Sequence, residues 1–466
     1  MEQISFGTSG WRATLDVFTD ERVRIVAQAA ATYFQDVEEK PYAPVAVGYD
    51  ARETSEGFAE SIAEVLAGNG FDVVLTERDT PTPVVSHAVL ERELTGAVVV
   101  TASHNPPEYN GLKVLPADGA PPLPDVSDAI EANLAPPERV LPAKRGTIER
   151  FDPIPAHARH ATELVGSYFD TDLDGLTVVY DALHGSGRGV TDALLESAGA
   201  DVIRRRCTRD PNFGGTSPEP GPENLRSLAE AVEEHDADLG IANDGDADRV
   251  VACTPERGYL DGNLLFAAMY EGLLTEGDAS GSVVRTVSTT ALLDRIAEEY
   301  GESVQEVPVG FKWIAKGMCE HDALVGGEES DGFTIRGHVR QKDGVLIALL
   351  VAAMDVTESI DDRVDRITDT YGGIYADKTS VDCPDERKAE ALDALEEDLP
   401  ETVAGEPVDR IVTLDGVKLF LEDGTWLLVR PSGTEPKLRV YVESPHEDRV
   451  TPVLEAGKAL VEGVFE

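Results

Sequence analysis

Leu176-Thr-Val-Val-Tyr-Asp181 is a short apolar run closed by an acid. A turn with glycines at 185, 187 and 189 follows, and then helical spacing over 190–198. A run of this length, rich in β-branched residues and bounded by turn formers, predicts a buried strand that the glycine-rich turn delivers into a helix. The same strand–loop–helix unit occurs at 45–50 with a helix over 56–69, and at 282–287 with a helix over 289–300. Further strands are predicted at 71–75 and 97–101. Three such restarts predict α/β domains with mostly parallel sheets, whose ligand sites lie at the carboxyl ends of the strands.

The joints between units follow from punctuation. Pro136-Pro137 and Pro142 precede a predicted helix over 151–169, which places one joint near residue 150; Pro255 suggests a second. After helices over 345–357 and 361–370 the pattern changes to a helix over 386–398, short strands at 410–414, 418–421, 426–429 and 438–442, and a closing helix. The chain therefore divides as α/β units over 1–150, 151–255 and 256–372 and a smaller α+β unit over 373–466.

Composition bounds the function. The 466 residues are 41% hydrophobic, enough for several packed cores, so disorder is excluded as the main state. Asp and Glu number 88 against 40 Lys and Arg, a formal charge of -48, and the acids run along the whole chain. Self-repulsion of that size strains a compact state, but the strain fades where molar salt shortens the screening length to about 3 Å. The surface thus reads as an adaptation to a salty cytoplasm. With no basic stripe to neutralise phosphates, nucleic acid is not an expected partner. Cys207, Cys253, Cys319 and Cys383 lie far apart with no Cys-x-x-Cys pair, which fits a reducing compartment and excludes zinc ribbons. The opening Met1-Glu-Gln-Ile-Ser shows no basic segment leading into an apolar run, and the longest apolar stretch, 346–354, is far short of the roughly 20 residues that span a bilayer. A cytoplasmic protein without a membrane partner is expected.

Four loops carry candidate chemistry. Thr101-Ala-Ser-His-Asn-Pro106 follows the apolar run 97–100, so Ser103 stands at a strand tip with His104 beside it as a candidate proton carrier. The same residues also suit a plain turn, and the Gly-x-Ser-x-Gly elbow of serine hydrolases is missing. Asp244-Gly-Asp-Ala-Asp-Arg249 places Asp244, Asp246 and Asp248 at alternate positions, where they can converge on one hard cation. An EF-hand fails, since Arg249 stands where that loop needs Gly and Pro255 where it needs Glu. Three oxygens are few for calcium and suit magnesium completed by a phosphate; a solvated acidic turn is the plainer alternative. Arg430-Pro-Ser-Gly-Thr-Glu-Pro-Lys437 gathers Arg430, Ser432, Gly433, Thr434 and Lys437 into an anion-binding loop, notable in a chain with 11 lysines. The opening Phe6-Gly-Thr-Ser-Gly-Trp-Arg12 has similar chemistry. Gly326-Gly-Glu-Glu-Ser330 offers carboxylates and a hydroxyl to vicinal sugar hydroxyls.

Together, in this order from Gly7 to Lys437, these loops resemble the α-D-phosphohexomutase family, here of haloarchaeal type. The resemblance implies four domains around one central cleft, three of mixed α/β topology and a smaller C-terminal α+β domain. It implies a phosphoserine at Ser103, Mg²⁺ on Ser103, Asp244, Asp246 and Asp248, a sugar loop at Glu328 and Ser330, and a phosphate loop at Arg430, Ser432, Gly433 and Thr434. The implied reaction interconverts hexose 1-phosphate and hexose 6-phosphate through a hexose 1,6-bisphosphate, which also serves as activator. Arg12, Arg249 and Lys113 would neutralise the transferring phosphoryl group, and Lys113 and His104 match positions the family assigns to proton transfer. Lys312 in Val307-Pro-Val-Gly-Phe-Lys-Trp313 and Lys342 in Gly337-His-Val-Arg-Gln-Lys-Asp-Gly344 are candidates for holding the substrate, and these stretches resemble the glucose-type branch. Other branches carry Gly-His after the sugar-loop serine, where this chain has Asp331 and Gly332. Phosphoglucomutase, with phosphomannomutase as an accompanying activity, is thus favoured over phosphoglucosamine mutase, in a monomer or homodimer. A non-catalytic sugar-phosphate binder and a magnesium-dependent phosphatase are the readings from other classes.

Overall fold

A computed structural model describes residues 4–7, 10–36, 43–137, 145–433 and 436–465. Its first sheet runs Trp11–Thr14, Tyr109–Leu115, Gly96–Val100, Val45–Tyr49, Val73–Thr76 and Ile148–Phe151 in spatial order. The second runs Gly258–Tyr259, Val250–Thr254, Leu239–Asn243, Thr177–Asp181 and Asp201–Arg205, and the third Val304–Val307, Val283–Thr286, Val325–Glu328 and Gly332–Ile335. The central strands are buried along their length, as strands covered on both faces must be.

The three sheets share one device. In each, parallel strands carry the middle of the sheet, and one of them turns back through a short loop into an antiparallel neighbour: Gly96–Val100 into Tyr109–Leu115, Leu239–Asn243 into Val250–Thr254, Val325–Glu328 into Gly332–Ile335. The Ser103, aspartate and sugar loops are these three returns. They stand at carboxyl ends of strands, as the sequence pattern suggests, but each leads into a strand rather than a helix. The antiparallel partner is short and its turn residues are polar, so the hydrophobic pattern alone does not expose it.

Two joints differ from expectation. Residue 151 ends a strand, Ile148–Phe151, that pairs with Val73–Thr76 in the first sheet, and the helix predicted from 151 begins beyond Pro153, at Ile154–Val165. Pro255 lies in a hairpin turn, because Cys253 pairs with Tyr259 and Thr254 with Gly258, so the second sheet passes residue 255. Pro142 lies outside the described residues. The fourth sheet is antiparallel and opens with an exposed edge strand, Tyr375–Asp382, that the sequence pattern missed. Having little burial on either face, it lacks an apolar signature.

The second and third units are welded by Gly344–Thr357. All residues from Gly344 to Met354 of this helix are buried, and one apolar cluster runs continuously from Val178 and Ile241 through Leu346 and Leu350 to Leu292 and Ile296. An all-round apolar helix of this length is a core element. Among the described residues no helix is long and apolar enough to cross a membrane. The fourth unit leans on the third through Trp426 and Leu428 against Val287, and through Lys418 Nζ, which donates to Val287 O and Glu306 Oε1 at 2.7 Å each.

Candidate active site

Ser103 sits just past the strand Gly96–Val100 with a positive φ of 50°, and its amide donates to Thr101 Oγ1 at 2.8 Å. This turn presents the hydroxyl to the aspartate loop. Ser103 Oγ donates to Asp244 Oδ2 at 2.7 Å and lies 3.2 Å from His104 Nδ1. Gly245 is required at the crossing, because a Cβ there would stand 2.6 Å from the Ser103 carbonyl oxygen.

One residue the sequence reading passed over secures this loop. Arg52, 1% exposed, donates to the carbonyls of Ser103 (2.8 Å), Asn105 (2.6 Å), Pro106 (2.6 Å) and Tyr109 (3.1 Å), while Asp50 Oδ2 accepts its Nε at 3.0 Å. The signal was present: Asp50 and Arg52 are charged residues at the carboxyl end of a buried parallel strand, the same end that carries Ser103. Thr82 was also missed; its Oγ1 donates to Asp246 Oδ2 at 2.5 Å.

Asp244, Asp246 and Asp248 are buried, and each offers a carboxylate oxygen within 4.8 Å of the others. Lys113, on the antiparallel return strand Tyr109–Leu115, donates to Asp246 Oδ2 at 2.7 Å and Asp248 Oδ2 at 2.9 Å. Burial opposes the ionisation of both carboxyls, and the Lys113 ammonium overcomes it, so both lie below the usual carboxylate range. Asp244 has no such partner: burial, reinforced by the two neighbouring carboxylates, pushes it up to about 8. Asp246 Oδ1 is buried without a hydrogen-bond partner, and Asp248 Oδ1 has only the Lys342 ammonium near it. Three converging carboxylates with spare oxygens suit a hard divalent cation, so the residues fit Mg²⁺.

Cations ring this centre. Arg12 donates to Asn105 Oδ1 at 3.0 Å, and the Arg249 amide donates to Asp244 Oδ1 at 3.2 Å. Lys342 Nζ lies 3.2 Å from Asp248 Oδ1. The stem of Lys342 crosses Gly332, where a Cβ would meet its Cδ at 2.2 Å. Gly332 is therefore the opening through which Lys342 reaches the aspartates. His104 is pushed down to about 2 by burial and by Arg249, Arg12 and Lys342, so its imidazole is neutral. Lys113, Asp248, Phe311, Lys312 and Lys342 line one cavity. Lys312 is only half-buried there, 6.0 Å from the Trp313 ring centre.

The two glutamates of the sugar loop part company. Glu328 is buried and accepts from the Gly310 amide at 2.9 Å. Glu329 instead turns into its own unit, accepting from Ser288 Oγ at 2.7 Å. Ser330 is half-buried beside them. The phosphate loop stands next to this one: Arg430 Nη2 donates to Asp415 Oδ2 at 3.1 Å, and the Val309 amide, adjacent to that of Gly310, donates to the same oxygen at 3.0 Å. Arg430 thus pairs with Asp415 rather than with the Ser103 or aspartate loops. Ser432 accepts from Lys388 Nζ through its carbonyl at 2.5 Å, and Gly433 borders open space. Thr434, and Thr8 and Ser9 of the opening loop, lie outside the described residues.

Comparison with known proteins gives the arrangement its relatives. Four domain descriptions of phosphoglucomutase/phosphomannomutase match in chain order: α/β/α domain I over residues 3–139, domain II over 156–258, domain III over 261–371 and the C-terminal domain over 379–456. The chain belongs to the phosphoglucomutase/phosphomannomutase family. Within this family it is 34% identical, over 95% of its length and 94% of the relative's, to a "Probable phosphoglucosamine mutase" of Methanopyrus kandleri. Two proteins of Thermococcus kodakarensis are each 31% identical: a "Phosphoglucomutase/phosphomannomutase", with 98% of both chains covered, and a "Phosphopentomutase", with 99% of this chain and 98% of the other. Among solved structures, a putative phosphomannomutase from Thermus thermophilus superposes with a TM-score of 0.84 at 30% identity, covering 99% of both chains. The phosphohexomutase architecture, with three mixed α/β units and a C-terminal antiparallel sheet, is shared.

Proposed function

We propose that this protein interconverts hexose 1-phosphate and hexose 6-phosphate, with glucose preferred and mannose accepted, through a phosphoserine at Ser103 and a hexose 1,6-bisphosphate. The observation that carries the reading is the hydrogen bond from Ser103 Oγ to Asp244 inside a ring of cations. In the first half-reaction the bond between phosphorus and Ser103 Oγ breaks as a bond forms to a sugar hydroxyl. The hydroxyl proton passes to a base, and Lys113 and His104, the latter 3.2 Å from the serine oxygen, are the two candidates for it. The bisphosphate then turns over; the serine oxygen, left as an alkoxide, forms a bond to its other phosphorus as the bond from that phosphorus to the sugar oxygen breaks, and the freed sugar oxygen takes the proton back from the base.

Phosphoryl transfer asks chiefly for positioning and charge neutralisation. Arg12, Arg249 and Lys113 supply the neutralisation around Ser103. Glu328, Ser330, Lys312 and Lys342 hold the sugar, while Arg430, Ser432, Gly433 and Thr434 hold the distal phosphate. Ser103, Asp244, Asp246 and Asp248 would hold Mg²⁺, which supplies a Lewis acid for the serine oxygen as leaving group. Glucosamine phosphate is the second reading, favoured by the name of the Methanopyrus kandleri relative.

Turnover of glucose, mannose, glucosamine and pentose 1-phosphates, each with its 1,6- or 1,5-bisphosphate, ranks the substrates. The largest kcat/KM is expected for glucose; a larger value for glucosamine or pentose moves the assignment to that sugar. Label from bisphosphate should appear on Ser103. Stoichiometric release of inorganic phosphate would instead mark a phosphatase, and binding without exchange a non-catalytic protein.

A further inference from the structure

Away from Ser103, four of the nine histidines converge where the first three units meet. His87 comes from the helix Thr82–Glu91, His157 and His160 from Ile154–Val165, and His338 from the turn before Gly344–Thr357. Their ring centres are 5.2 Å apart for His160 and His338, 5.6 Å for His87 and His157, and 5.9 Å for His157 and His338. Asp343 lies in their midst, fully buried. Its Oδ1 accepts from the amides of Val345 (2.9 Å) and Leu346 (2.8 Å), capping the helix.

The other carboxylate oxygen faces the imidazoles. His157 Nε2 stands 2.6 Å from Asp343 Oδ2 and His338 Nε2 2.8 Å from it. His338 Nε2, buried completely, is within reach of that oxygen but poorly aligned for a hydrogen bond to it. The other nitrogen of His338 meets His160 Nε2 at 3.0 Å. Either ring can be the donor in that contact; when the proton sits on His338 Nδ1, Nε2 turns a lone pair toward the carboxylate, an arrangement that a cation between them satisfies. Among the described residues no Lys or Arg forms an ion pair with Asp343.

Two imidazole nitrogens and one carboxylate oxygen, all within 4.8 Å of one another and buried, form a donor set suited to a borderline divalent ion rather than to magnesium. The contact between His338 and His160 supplies the outer interaction that commonly orients a ligating imidazole. We propose that His157, His338 and Asp343 form a second metal site, for Zn²⁺ or a similar transition ion, separate from the three-aspartate centre. The ion ties the second unit to the third. It also fixes the backbone at Asp343, next to Lys342, whose ammonium reaches Asp248.

The test strips the purified full chain with a chelator in the salt that keeps it folded, saturates it with Mg²⁺, and titrates with Zn²⁺ and with Co²⁺. The native chain is expected to retain one Zn²⁺ that Mg²⁺ does not displace, to melt at a higher temperature with it, and to give the intense visible absorption of nitrogen-ligated tetrahedral Co²⁺. Asp246→Asn should keep this ion and His338→Gln should lose it. Failure of the native chain to retain Zn²⁺ overturns the proposal, as does retention that Asp246→Asn abolishes and His338→Gln does not. Should His338→Gln not fold, the native Co²⁺ spectrum decides: weak absorption of an all-oxygen octahedral site rejects the assignment.

Discussion

Ser103 Oγ and Asp244 Oδ2 lie 2.7 Å apart although 141 residues separate them. Two different sheets meet at that bond, each at the loop where a parallel strand turns back on itself. The Ser103 hydroxyl is thereby inside the same buried space as the three carboxylates.

Removing one carboxylate of this space tests the metal assignment. Asp246→Asn leaves Lys113 paired only with Asp248 and deletes one oxygen of the cluster. Mutase turnover should fall by orders of magnitude and its dependence on Mg²⁺ should weaken. Activity of the native chain that survives chelation would refute the metal role.

Arg52→Met removes the donors to four backbone carbonyls of the Ser103 loop. Leaving such buried acceptors unpaired costs about 1–3 kcal/mol apiece. Phosphorylation of Ser103 and kcat are both expected to drop, while Arg52→Lys restores part of each. Unchanged kcat in Arg52→Met would show that the loop holds its shape without the guanidinium.

Burial pushes Glu328 up to about 6 in the folded state, the nearby Lys342 ammonium only partly opposing it. It takes up its proton as pH falls through about 6, and a carboxyl is a poorer acceptor for sugar hydroxyls than a carboxylate. KM should therefore rise below about pH 6, and Glu328→Gln should show a high KM without that step. A native KM flat between pH 5 and pH 7, roughly the range that brackets this titration, contradicts the role.

The weld between the second and third units is testable through Leu350, which is completely buried in Gly344–Thr357. Leu350→Ala should cost about 2–5 kcal/mol of stability in denaturant unfolding. A change under about 0.5 kcal/mol, the usual surface value, would mean that the helix is not packed as described.

The net charge of -48 makes salt a structural variable. The melting temperature should rise from dilute buffer to molar KCl as repulsion among carboxylates is screened. A melting temperature that stays constant or falls removes the halophilic reading.

Much of this molecule was legible before folding. Apolar runs such as 176–181 and 97–100, each ending in polar punctuation, announced buried parallel strands with reactive loops at their tips, because the periodicity of burial is written locally. The aspartates at alternate positions announced a candidate cation site for the same reason: charges so close call for a counter-ion wherever the loop lies. Other features were not local. The fourth sheet's edge strand has no buried face to leave a pattern, and Arg52 gains its meaning only from carbonyls more than fifty residues away. Nothing in the glutamate pair says that Glu328 faces Gly310 while Glu329 faces Ser288.

The amino-acid order by itself settled which chemical groups stand at strand tips and how the chain alternates, since both depend on neighbours within a few residues. Only the packing of sheet against sheet decided which of those groups touch. That choice depends on interfaces between distant segments, such as Ser103 with Asp244, Lys113 with Asp246 and His157 with Asp343, which no short stretch of sequence contains.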